Sequence, residues 1–135
     1  MKLSTKCRYG ARAMVEIARN HLSDVFTKRK DITEKHGIPA SYLENILLDL
    51  RNAGLLYTVR GPRGGFKLTK SPDEIMIYDV LFALCGNDLL NVNCVENQDI
   101  CERSDTCIMR KVWKKMQIAQ DKVLKEISLQ TLIEE

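Results

Sequence analysis

The chain has 135 residues, 44% of them hydrophobic and 29% charged, with 21 Lys and Arg against 18 Asp and Glu for a formal net charge of +3. That is a globular composition, at a length that builds one modest core rather than two. No apolar run approaches the roughly 20 residues that span a bilayer, and the N-terminus lacks the apolar region of a secretory signal, so a cytoplasmic protein is expected.

Ser4 is placed to cap a first helix, with Cys7, Ala11, Met14, Val15, Ala18 and Leu22 as its apolar face. Lys6, Arg8, Arg12 and Arg19 lie off that stripe, as a solvated face or one that approaches phosphates. After Ser23-Asp24, with Val25-Phe26 extended, Lys28 to His36 reads as a weak helix anchored by Ile32 and ended by His36, where a cation is favourable. Gly37 separates it from a stronger helix signalled at Pro39, whose fixed φ suits a first turn. There Leu43, Ile46, Leu47 and Leu50 recur at helical spacing, and Gly54 stops the run. Ser41, Tyr42, Glu44 and Asn45 occupy the opposite, polar face.

Two extended runs follow, Leu55 to Arg60 and Phe66 to Thr69, joined by Gly61-Pro62-Arg63-Gly64-Gly65. Taken alone this is an αββ corner of any globular domain. Charge favours a more specific reading: residues 1–70 hold 14 Lys and Arg against 6 Asp and Glu, a net of +8, whereas residues 71–135 hold 7 against 12, a net of −5. A basic half with a helix-turn-helix pattern and a basic glycine-rich tip suits a winged helix, its second helix in a major groove and its wing at the backbone or minor groove.

Ser71-Pro72-Asp73-Glu74 is a capping box, expected to open a helix bearing Ile75, Tyr78, Leu81, Phe82 and Cys85, with Gly86 closing it. Cys85 is read as a buried structural thiol. From Asn87 to Thr106 the period is lost and the chain is polar apart from Cys94-x6-Cys101-x5-Cys107. A long amphipathic helix is expected from about Cys107 to Ile127, with Met109, Val112, Trp113, Met116, Ala119, Val123 and Ile127 in one stripe. Such a stripe on the last helix of a small protein packs on its own domain or on a second copy, and a homodimer is the expectation.

In a reducing compartment the five cysteines are ligands or sensors in preference to disulfides. Three thiols in one loop suit a metal or an iron–sulfur cluster; the absence of CxxC disfavours a zinc knuckle without excluding tetrahedral zinc. Chance clustering is the plain alternative. An enzyme is not expected, because His21 and His36 lie far in sequence from the loop and no catalytic motif is present.

LSTKCRYGARAM at 3–14, GIPASYLENIL at 37–47, RNAGLLYTVRGPRGGFKL at 51–68 and the three-cysteine loop at 94–107 together resemble the Rrf-type regulators, the family that includes IscR and NsrR. The resemblance covers nearly the whole chain. It implies a mainly α fold with a small β-wing: a winged helix-turn-helix domain over 1–86, a cluster-binding loop over 87–107, and a dimerisation helix with a C-terminal tail over 108–135. It implies a DNA-binding regulator, with Ser41, Tyr42 and Glu44 meeting an operator from the recognition helix and Arg60 and Arg63 on the wing, Arg60 reaching the minor groove. Cys94, Cys101 and Cys107 would hold an iron–sulfur cluster, [2Fe–2S] in preference to [4Fe–4S], that modulates operator binding as in IscR-like members. The alternatives are a nitric-oxide or redox sensor of the NsrR-like kind, or a DNA-binding regulator with structural zinc or no metal.

One departure stands out. IscR-like proteins carry a histidine three residues after the third cysteine, where this chain has Arg110; NsrR-like proteins use an acidic residue near the start of the first helix, where it has Arg8. Arginine stays protonated and does not ordinarily ligate iron. Cys7 is the most cluster-compatible substitute if a partner protomer delivers it; otherwise it is a packing residue, and His36, Glu102, Asp105 or an exogenous thiol fills the place.

Overall fold

A computed structural model describes residues 3–86 and 93–135. The first part of the stretch read as aperiodic, 87–92, lies outside the described residues. In chain order the elements are α1 (Thr5–Leu22), α2 (Arg29–His36), α3 (Ala40–Asn52), β1 (Leu56–Val59), β2 (Gly65–Leu68), α4 (Ile77–Cys85), α5 (Asn93–Glu96), α6 (Ile108–Glu126) and α7 (Leu129–Ile133), with short 3-10 turns at Pro72–Glu74 and Gln98–Ile100. The fold is mainly helical with one two-stranded antiparallel sheet.

α1 is the central rod, packed against α3, α4, α7 and β2. Ser4 caps it as expected, accepting a hydrogen bond from the Cys7 N–H at 3.1 Å. Its buried face differs from the sequence reading: Gly10, Ala13 and Ile17 join Cys7, Met14 and Ala18, whereas Leu22 is 60% exposed. A helix enclosed on several sides has no single stripe, so a one-face template misplaces its edges. Gly10 is where α1 meets α3 and α4, because a Cβ there would lie 2.1 Å from Leu84 Cδ1 and 3.3 Å from Ile46 Cγ2.

α3 matches its pattern closely, with Leu43, Ile46, Leu47 and Leu50 as its buried residues. Each such burial is worth about 1.5–3 kcal/mol in transfer terms, and together they fix which face of α3 remains outside. Pro39 is the N-cap, in extended conformation, rather than the first helical residue.

β1 and β2 pair with Leu56 opposite Leu68 and Val59 opposite Gly65. Thr27 adds a bridge to Phe66, its N–H and C=O each bonded to the strand at 3.0 and 2.8 Å. That third contact explains Gly65, where a Cβ would meet the Thr27 carbonyl oxygen at 2.6 Å, whereas a Cβ on Gly64 would meet the Val59 carbonyl oxygen within the hairpin at 1.9 Å.

Beyond the wing the capping box forms, with the Ser71 N–H donating to Glu74 Oε2 at 3.2 Å, but it closes only a 3-10 turn. Ile75 is extended and α4 starts at Ile77. The cause is the returning C-terminus. Ile77 N–H donates to the Ile127 carbonyl at 2.8 Å and Leu129 N–H to the Ile75 carbonyl at 2.9 Å, which requires extended backbone at 75–76. α6 accordingly ends at Glu126, and Ser128 caps α7, which packs on α1 with Leu129 fully buried. The last residues are therefore a docked helix, not a loose tail. No described helix is long and apolar enough to cross a membrane.

Candidate nucleic-acid interface and cysteine loop

The α2–α3 unit is set by local rules. Gly37 ends α2 in the left-handed region at φ 65°, and Ile38, fully buried, anchors the turn into α3. With the opposite face of α3 buried, Ser41, Tyr42, Glu44 and Asn45 are left exposed together. Tyr42 meets the Tyr9 ring edge-on at 5.6 Å between centroids, and the Arg12 guanidinium lies over Tyr9 at 5.2 Å.

A groove of about 650 Å³ runs between α3 and the wing, lined by Lys28, Arg29, Arg51 and Arg60 together with Glu44, Leu47, Leu48, Val59 and the wing glycines. Four cations against one carboxylate make it strongly electropositive, and that carboxylate is itself paired: Arg29 donates to Glu44 Oε1 at 2.6 Å. Arg63 is exposed at the wing tip. Lys28 reaches across to the Pro62 carbonyl at 2.7 Å, tying the wing turn to the start of α2. Glu44 of the exposed α3 face and Arg60 of the wing thus line one basic groove.

Two supporting contacts were not read from the sequence. Glu16, 6% exposed within α1, accepts from Lys35 at 2.9 Å and from His36 at 3.3 Å, with Arg19 at 3.8 Å. Burial pushes its pKa up, but the hydrogen bonds and charges of Lys35 and His36 outweigh that and hold it below the ordinary glutamate value. This joins α1 to α2. Asp24, at φ 54°, binds Lys67, whose ammonium also lies 5.1 Å from the Phe26 ring centroid; the Lys67 hydrogen bond lowers the Asp24 pKa. This joins the α1–α2 connection to β2.

The acidic half is less enclosed. Cys94 lies in α5, Cys101 ends the 98–100 turn, and Cys107 is the N-cap of α6; all three are half-buried free thiols. Among the described residues no group of three or more His, Cys, Asp or Glu side chains is gathered as a metal site. The donor set suits a thiolate-bound cluster. Arg110 donates from Nε to the Cys94 carbonyl at 2.8 Å and from a terminal nitrogen to the Val95 carbonyl at 3.4 Å, so it pins α5 to the start of α6.

Within the protomer Cys7 is set against α4. It is fully buried, with its sulfur in contact with that of Cys85 across the α1–α4 interface and Cα atoms 6.3 Å apart. Cys85, read as a buried structural thiol, is half-buried. On α6 no residue is buried, and Met109, Val112, Met116 and Val123 are 40–54% exposed. Trp113, Gln117, Gln120 and Leu124 form a half-buried row along the same helix, and Leu124 packs against the core.

A helix-turn-helix with an exposed polar recognition face beside a basic wing defines a winged-helix DNA-binding protein. Comparison with known proteins agrees. Residues 3–135 match the family described as Rrf2, iron-dependent transcriptional regulator. The chain is 33% identical over 133 residues to the HTH-type transcriptional regulator IscR of Photorhabdus laumondii, covering 98% of this chain and 79% of the relative. Among solved structures it is similar to CymR, the global cysteine regulator of B. subtilis, at a TM-score of 0.82 and 33% identity, covering 99% and 97% of the two chains. It is also similar to T. potens IscR at 0.81 and 31%, covering 99% and 87%. The chain belongs to the Rrf2 family of transcriptional regulators.

Proposed function

We propose that the chain is a homodimeric, cytoplasmic DNA-binding regulator whose operator affinity is set by an iron–sulfur cluster, in the IscR-like manner. The observation that carries DNA reading is the exposed set Ser41, Tyr42 and Glu44 on α3, adjoining a groove with Lys28, Arg29, Arg51 and Arg60. In this reading the α3 side chains reach base edges, Arg60 enters the minor groove and Arg63 meets the backbone at the wing tip. Residues 1–86 form the DNA-binding domain, with α7 docked on it, and the exposed stripe of α6 meets its copy in a partner.

Cys94, Cys101 and Cys107 hold the cluster, [2Fe–2S] in preference to [4Fe–4S], and a bound cluster supplies one-electron redox chemistry and reactivity toward small ligands. The thiolates lie on the segment between α4 and α6, so gathering them alters how the dimer helix meets the domain. Because half-sites are a fixed distance apart, a change in the spacing of two α3 helices changes affinity. Within the protomer Cys7 is engaged with Cys85, so as a fourth ligand it would come from the partner after leaving that contact. A DNA-binding regulator with structural zinc or no metal is the second reading.

Anaerobic purification with visible absorption and iron and sulfide analysis tests the cluster. Coloured protein with matching iron and sulfide is expected, lost on replacing any one of the three cysteines by Ser; colourless protein without iron, with or without zinc, selects the second reading. For DNA, Arg60→Ala weakens specific binding and lowers the salt slope by about 1. Glu44→Ala relaxes base preference by about 1–3 kcal/mol at the position it reads. Unchanged binding by both variants across a panel of sites overturns the assignment.

A further inference from the structure

The sulfurs of Cys7 and Cys85 meet although 78 residues separate them in sequence, and their Cα spacing of 6.3 Å lies within the range that a disulfide bridges without backbone movement. The two thiols differ in access. Cys7 is fully buried, in the first turn of α1, whereas Cys85 is half-buried at the last residue of α4. Ser4 Oγ accepts from the Cys7 N–H at 3.1 Å and lies 3.4 Å from Cys85 Sγ, so its hydroxyl proton is free to be donated to a thiolate there. The first turn of α1 carries no acidic side chain.

We propose that Cys7 and Cys85 are a second redox centre of this protein, separate from the loop cysteines: a dithiol that closes to an intramolecular disulfide by exchange with a low-molecular-weight disulfide. The Cys85 thiolate attacks one sulfur of the small disulfide, whose S–S bond breaks; one small thiol leaves with a proton, and Cys85 carries a mixed disulfide. Cys7 then loses its proton and attacks Cys85 Sγ, releasing the second small thiol. Two protein thiols are oxidised and one small disulfide is reduced to two thiols. The new bond clamps the first turn of α1 to the last turn of α4. One turn further along α1, Gly10 seats Leu84 and Ile46, so the clamp stiffens the junction on which α3 rests.

The test treats reduced full-length protein with oxidised glutathione, quenches with acid, alkylates, and maps peptides by mass spectrometry. In the wild type the Cys7 and Cys85 peptides are expected to appear as one cross-linked species that dithiothreitol separates. The oxidised chain should unfold several degrees higher than the reduced one. Cys7→Ser should accumulate a stable glutathione adduct at Cys85, and Cys85→Ser should leave Cys7 unmodified until the protein is denatured. Wild-type mapping decides the matter even if a variant folds poorly. Free Cys7 and Cys85 after treatment, a cross-link from either to Cys94, Cys101 or Cys107, or an unchanged unfolding temperature on cross-linking overturns the proposal. With the test run on protein freed of iron by a chelator, none of these outcomes depends on whether the loop binds a cluster.

Discussion

Residues 3–70 and α6 use apolar side chains in opposite ways. In the first region Leu43, Ile46, Leu47 and Leu50 are at most 1% exposed, and ion pairs from Glu16 and Asp24 tie successive elements together. Along α6 no residue is buried and Ile108 is 78% exposed. A surface that presents chosen polar groups to DNA must hold still, and it does so by filling its own core. Under the proposed dimer, the open stripe of α6 would take its packing from a second copy.

The sharpest break of this contrast is Leu47→Ala, which should cost about 2–5 kcal/mol of folding stability by opening a cavity under α3. Met116→Ala, on the open stripe, should change the unfolding free energy of the monomer little. Denaturant titration of both, at concentrations where the protein is monomeric, checks the difference; equal losses would show that α6 is part of the same core.

Next in size is assembly. Met116→Glu with Val123→Glu places two charges per protomer in the proposed seam. The dimer dissociation constant should rise at least ~100-fold, about 2.7 kcal/mol, with helical circular dichroism unchanged. Light scattering that finds the wild type monomeric would remove the partner from this account.

What was legible in the sequence follows the same division. α3 was readable because its buried positions repeat every three or four residues and Gly37, Pro39 and Gly54 punctuate it locally. The wing was readable because its glycines mark the turn. The unread features are pairings between distant positions. Ile75–Met76 looked helical, and only their pairing with Ile127–Leu129 makes them extended. Cys7 and Cys85 were each assigned from their own helices, and nothing local says that they touch. Glu16 carried no signal, since Lys35 and His36 approach it only once α2 folds back on α1. The loop cysteines announced a candidate donor set by composition, but whether three thiols meet depends on tertiary contacts that no local pattern encodes.

Glu16 sharpens the point about the first region. Its pKa is held below the ordinary value of 4.5 because Lys35 and His36 outweigh the cost of burial. A carboxylate with a depressed folded-state pKa contributes stability above its unfolded pKa and loses it as pH falls through the folded value. Glu16→Gln should therefore cost about 1.5–3 kcal/mol near neutral pH, the range for hydrogen bonds to charged groups. The variant and the wild type should converge in stability as pH drops below 4.5. A gap that persists in acid would mean that Glu16 acts through packing and not charge.

The smallest effect on folding is expected at the wall of the groove between α3 and the wing. Arg29 and Glu44 are 2.6 Å apart, yet their side chains are 54% and 65% exposed, so solvent screens the pair. Arg29→Ala should shift stability by less than about 1 kcal/mol. Its consequence should appear in DNA reading, because Arg29 holds the Glu44 carboxylate on the groove wall before a base is met. Without it Glu44 keeps its donors and acceptors but loses its orientation, so discrimination at the position it reads should fall toward that of Glu44→Ala. Arg29 also lines the groove, so some affinity for every sequence is lost with its charge. Binding across sites that differ only at that base pair separates the two: a uniform loss assigns Arg29 to the backbone alone, and a further loss at the preferred base on top of it shows that Arg29 orients Glu44.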